Sequence, residues 1–151
     1  MKTRSAKRRP RLSLCVQYAL AASNLPSRTQ VRKWARAALE HDAEITVRIV
    51  GQAEARALNR NFRGKDYASN VLTFVFRDTV PYAGDLALCA PIVKRQARSQ
   101  AKTVTGHYAH LVVHGVLHLQ GYDHERVSEA RAMEQRETVI LAKLGFPDPY
   151  A

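Results

Sequence analysis

HGVLHLQGYDH, from His114 to His124, sets three imidazoles at the spacing that one metal ion requires. Residues four apart overlay on one face of a helix, so a helix running through His118 places the rings of His114 and His118 side by side. Gly121 supplies the flexible backbone that ends such a helix and turns the chain back, which lets His124 approach the same ion from outside. Three neutral histidines with a fourth position open to water form the catalytic rather than the structural arrangement for zinc, and zinc held in this way ionises water near neutral pH. The stretch therefore predicts a single Zn2+ on His114, His118 and His124, carried on a helix and its terminal turn.

The spacing repeats the long zincin signature H-E-x-x-H-x-x-G-x-x-H down to the glycine, with Gly115 standing where the glutamate belongs. In a peptidase that glutamate takes the proton from water, so the pattern keeps the metal and removes the proteolytic base. Leu111, Val112, Val113, Val116 and Leu117 show that this helix is also a core element, and a lone histidine on it would read as packing. Three in register are another matter. His107 and His110 share the helical face, and a His110/His114 pair has the same spacing, but only the 114/118 pair has a glycine turn and third histidine in step. His107 and His110 are assigned to support of the ligands or to packing.

The chain of 151 residues is expected to form one domain, and 46% hydrophobic content suffices for a core. Cys15 and Cys89 have no C-x-x-C partner, which fits a reducing compartment, excludes a cysteine zinc cluster and predicts no disulfide. Both are expected to pack in strands. Charge is unevenly spread: ten lysines and arginines precede the first acidic residue, Glu40, and the remainder carries 14 basic against 13 acidic side chains. A net charge of +11 concentrated in this way suggests an anionic partner, of which nucleic acid is the usual one. Residues 2–22, basic and then apolar, could pass for a signal or transit peptide, but Leu12, Leu14, Val16 and Tyr18 alternate with Ser13, Cys15 and Gln17 as a strand does. The expected division is a basic arm over residues 1–10 and a catalytic domain over 11–151, with no membrane span.

Along the rest of the chain, Ser27 and Gln30 are spaced as a capping box for a helix with an apolar stripe of Val31, Trp34 and Ala38. Ala43–Val50 reads as a second strand and residues 52–61 as a short helix. A polar loop with Arg63, Lys65, Asp66 and Asn70 around Gly64 precedes a strand from Val71 to Phe76, and residues 78–84 form a hairpin connection to a strand at Asp85–Cys89. Pro91 opens a basic helix, the histidine helix follows from about Thr105, and Ser128 caps a last helix that Gly145 and Pro147 stop. The β-α-β-α rhythm is that of a layered α/β (α+β) domain, a small mixed four-stranded sheet packed with about five helices.

LNRNFRGKDYASNVLTF (Leu58–Phe74), GDLALC (Gly84–Cys89) and HLVVHGVLHLQGYDH (His110–His124) together resemble the YbeY family of bacterial rRNA-maturation endoribonucleases, in that family's order. The resemblance implies a zincin-like fold and a metal-dependent, single-strand-specific endoribonuclease that trims small-subunit (16S) rRNA in the bacterial cytoplasm. Its implied partners are the small ribosomal subunit and its assembly factors. It implies zinc on His114, His118 and His124, and makes Arg63 the functional arginine in the cleft; Arg63 and His114 are the residues assigned to catalysis. Val75, Gln120 and Gln96 depart from the family's common proline, leucine and glutamate. Asp123 is assigned to orienting His124. A metallopeptidase and a non-catalytic zinc-containing assembly factor are the alternatives.

Overall fold

Four strands, β1 (Leu12–Tyr18), β2 (Ala43–Val50), β3 (Val71–Arg77) and β4 (Tyr82–Cys89), form a sheet in the order β1-β2-β4-β3 in the computed structural model, which describes residues 8–151. β1, β2 and β4 run parallel and β3 runs antiparallel to β4, at the sheet's edge. Between and after them come α1 (Arg28–Ala37), α2 (Gln52–Arg63), α3 (Ala90–Ser99), α4 (Val104–Leu119) and α5 (Val127–Lys143). The mixed sheet and five helices are those expected from the sequence. Among the described residues no helix is long and apolar enough to cross a membrane.

Strand alternation decides which face is covered. Ile45, Val47 and Ile49 are register partners of Gly84, Leu86 and Leu88, and all six are buried on the face where α1 and α4 pack, with α5 laid against α4. Val50 and Cys89, one residue further on, point the other way and pack with Ala55 of α2 in a separate small cluster. α4 is the central helix: ten of its residues are buried, so it reads as apolar nearly all round, and its Thr103 cap accepts the Gly106 N–H at 3.0 Å. α1 has both arms of its capping box, Gln30 N–H to Ser27 Oγ and Ser27 N–H to Gln30 Oε1 at 3.1 and 2.9 Å.

Several local expectations are corrected. Arg126, not Ser128, holds the extended N-cap backbone of α5, and no side chain caps it, because the turn that brings His124 back also sets where this helix begins. β4 begins at Tyr82, three residues before the expected start, since pairing with both β2 and β3 extends it beyond its apolar run. Cys15 lies on the outward face of β1 and is exposed; only Cys89 is packed, and both thiols are free. Residues 1–7 of the expected basic arm lie outside the described residues, while Arg8 forms a two-pronged ion pair with Asp42 at 2.7 and 3.1 Å.

Gln120, at a position read as a departure toward a polar residue, is buried and satisfied. Its amide donates to the Ala38 and Val116 carbonyls at 2.9 and 3.0 Å and its oxygen accepts the Glu40 and His41 N–H groups at 2.7 and 3.0 Å. The turn after α4 is thereby tied to the end of α1. Gly84 is a point of close approach: a Cβ there would lie 2.3 Å from the Phe74 carbonyl oxygen and 2.3 Å from Leu119 Cδ2. A backbone carbonyl has no rotamer with which to yield, so Gly84→Ala should cost about 2–3 kcal/mol by overpacking. Thermal unfolding should fall by roughly 4–12 °C, and an unchanged midpoint would contradict this packing of β3 on β4.

Candidate metal centre

The rotation of α4 is set by its one glycine against the sheet. A Cβ on Gly115 would lie 2.6–3.2 Å from the Leu86 side chain, so the helix sits closer to β4 than any other residue allows. With position 115 turned to the sheet, His114 and His118 are half-buried and line a cleft on the open side. α4 stops at Leu119, Tyr122 N–H returns to the Leu117 carbonyl at 3.2 Å, and Gly121 takes a φ of 101° that side chains disfavour. The chain then carries His124 over the two helical rings. Ring centroids are 5.6 Å apart for His114–His124, 5.7 Å for His118–His124 and 6.5 Å for His114–His118.

The chemistry of this trio suits a metal. His114 Nδ1 faces Glu137 Oε2 at 2.8 Å and His118 Nδ1 faces the Tyr122 carbonyl at 2.9 Å. A carboxylate and a carbonyl only accept, so both Nδ1 atoms carry the proton and both Nε2 atoms keep a lone pair. Zinc–nitrogen bonds of 2.0–2.1 Å would put three tetrahedrally arranged ring centroids roughly 5 Å apart. Among the described residues no group of three or more histidine, cysteine, aspartate or glutamate side chains is drawn together closely enough to hold a metal ion, and the three ring centroids lie 5.6–6.5 Å apart. His124 is exposed.

Glu137, which the sequence did not single out, is the carboxylate beneath the histidines. It is fully buried on α5 and joins His110 Nε2 at 2.7 Å to His114, with the Tyr150 hydroxyl donating to the same carboxylate. Burial alone would raise its pKa, but hydrogen bonds from His110, His114 and Tyr150 outweigh it and hold the group at about 2. The signal was present: Met133, Glu137, Ile140 and Leu141 share one buried helical stripe, and a carboxylate on such a stripe needs a partner. Asp123, the assigned orienting carboxylate, instead accepts the His124 backbone N–H at 2.7 Å and shapes the turn. Glu137→Gln should weaken zinc binding roughly 10–100-fold in a chelator competition. Full affinity in a folded variant would exclude a supporting role for the carboxylate.

His110 thus reaches the site through Glu137. His107 is a packed neutral residue, since burial, with His110 and Lys102 nearby, lowers it to about 4, and its Nε2 lies 2.9 Å from Gln96 Oε1. The same oxygen accepts Asn70 Nδ2 at 3.0 Å, so Gln96 ties the loop before β3 to the histidine helix.

Arg63 is not on a loop, as expected, but is the last residue of α2; Gly64, at φ 70°, caps the helix one residue later. The helix extends past its expected end because the Gly64 and Lys65 N–H groups still reach the Arg60 and Asn59 carbonyls. Arg56 and Arg60 both turn to Asp66, whereas Arg63 lines the cleft that holds the three histidines, a space of about 490 Å³ also bounded by β3 and Asp123. Three imidazoles, a guanidinium and a cleft open to solvent can hold a cation and an anionic oxygen together.

Known proteins match nearly the whole chain. The family model described as Endoribonuclease YbeY matches residues 19–145. A protein of Aromatoleum aromaticum named Endoribonuclease YbeY is 57% identical over 144 residues, covering 93% of this chain and 94% of that one. One of the same name from Thiobacillus denitrificans is 57% identical over 143 residues, covering 93% and 97%. The solution structure of TM1509 from Thermotoga maritima superposes with a TM-score of 0.63 at 26% identity, covering 87% of this chain and 88% of that one. On this similarity across nearly its whole length, the chain belongs to the Endoribonuclease YbeY family.

Proposed function

We propose that the chain is a zinc-dependent endoribonuclease that cuts single-stranded regions of small-subunit rRNA in the bacterial cytoplasm, alongside the assembling ribosomal subunit. The observation that carries it is the joint lining of one cleft by His114, His118, His124 and Arg63, in a chain whose relatives are named endoribonucleases. When bound, zinc supplies Lewis acidity toward a phosphoryl oxygen and a lowered pKa for water. The chain's own residues do the rest. Glu137 and the Tyr122 carbonyl fix the tautomers of His114 and His118, and Arg63 offers a planar, permanently charged fork to phosphate oxygens at the mouth of the cleft.

Gly115 weighs against the metallopeptidase alternative. Its Cα faces Leu86 of the sheet and not the cleft, so this position supplies no base and has no room for one. The test is cleavage of a single-stranded oligoribonucleotide, its duplex and casein by protein purified without added metal. Cutting of the single strand alone, lost on chelation and restored by zinc, is expected. Zinc-replete protein that leaves every RNA intact would favour the non-catalytic assembly factor, and casein cleavage would favour the peptidase.

A further inference from the structure

Edge strand β3 separates the histidine cleft from a second pocket, of about 320 Å³, between α2 and the outer face of the sheet. Both spaces share three walls, Phe62, Phe74 and Phe76. Phe62 and Phe76 are 68% and 70% exposed, large apolar rings left in water beside Arg63, and Phe62 is braced edge-to-face on Phe74 at 5.3 Å. The pocket's polar groups differ in availability. Arg48 is engaged twice by Glu54, at 2.6 and 3.1 Å, whereas Asp85 makes no side-chain ion pair among the described residues and burial is the cause that raises its pKa.

From this geometry we infer a base-binding subsite: the base next to the scissile phosphate stacks on Phe62 and Phe76 and presents its donor edge to Asp85. The inference rests on the reading that the cleft holds an RNA phosphate, for such a phosphate carries a nucleoside on each side and β3's aromatic rim is where one of them leaves the cleft. Flat, exposed rings accept any base face. A carboxylate only accepts hydrogen bonds, and it can take two at once. Guanine offers two adjacent N–H donors on its pairing edge, where uracil offers one, so the pocket should prefer guanine.

The test uses a short oligouridine carrying one central guanine, and the same strand with uracil or an abasic site there, with affinities read by fluorescence anisotropy on metal-loaded protein. Phe62→Ala and Phe76→Ala should each weaken binding of the guanine strand by roughly five- to tenfold, the size of one lost stacking contact. Neither should change binding of the abasic strand. Asp85→Asn should remove the preference for guanine over uracil while leaving the uracil strand's affinity in place. Because the two phenylalanines are exposed, both variants should fold, with Phe76→Ala unfolding at the wild-type temperature and Phe62→Ala losing at most a few degrees for its contact with Phe74. Equal losses on the abasic strand, or a guanine preference that survives Asp85→Asn, would overturn the subsite. Wild-type protein that binds these strands with the expected pattern yet never cuts them would sink the nuclease reading and leave the subsite standing.

Discussion

Arg63→Ala should lower cleavage of single-stranded RNA by about 10²–10³, roughly 3–4 kcal/mol of lost transition-state stabilisation, the cost of removing one preorganised charged donor. Phosphodiester cleavage builds negative charge on the non-bridging oxygens, and a guanidinium holds two of them where an ammonium offers a single point charge. Arg63→Lys should therefore recover only part of the rate. The structure sharpens this expectation, because Arg63 ends α2 and is followed by the left-handed Gly64 cap. A group on a helical turn is held more firmly than one on a loop, so its stabilisation is available without reordering at the moment of reaction. Its side chain is exposed and lines the cleft, so both variants should unfold at the wild-type temperature and retain their zinc. Near-normal cleavage by a zinc-replete Arg63→Ala protein would leave a mechanism that needs the metal alone.

The second large effect is on the metal itself. Protein purified without added metal should carry about one zinc per chain, and His118→Ala should carry almost none, since two imidazoles no longer close three sides of a tetrahedron. His118 is half-buried and its Nδ1 bonds only the Tyr122 carbonyl, so its loss should spare the core. That separation gives a readout apart from activity. A ligand that binds only the folded state raises the unfolding temperature, so chelation should destabilise the wild type and leave His118→Ala unmoved. Stoichiometric zinc in the variant, by elemental analysis, would mean that the ligand set is not His114, His118 and His124.

Much of this was readable in one dimension. The 114/118/124 spacing with Gly121, the alternation of Ile45, Val47 and Ile49, and the Ser27/Gln30 box each depend on neighbours a few residues away. Local backbone geometry determines where those side chains go, which is why they survive translation from sequence to structure. Other features have no local cause. Glu137 meets His114 across 23 positions and Gln120 meets Glu40 across 80. Gly115 reads as a missing base until Leu86 is seen against it, and Phe62 and Phe76 join one pocket to another only because β3 runs antiparallel at the edge beside the end of α2. The sequence by itself determined the spacing of the three histidines and the elements that carry them, because periodicity is a short-range property. Only the tertiary structure decided which buried carboxylate supports the histidines and which surfaces share a cleft, because those follow from packing between segments whose order in the sheet differs from their order along the chain.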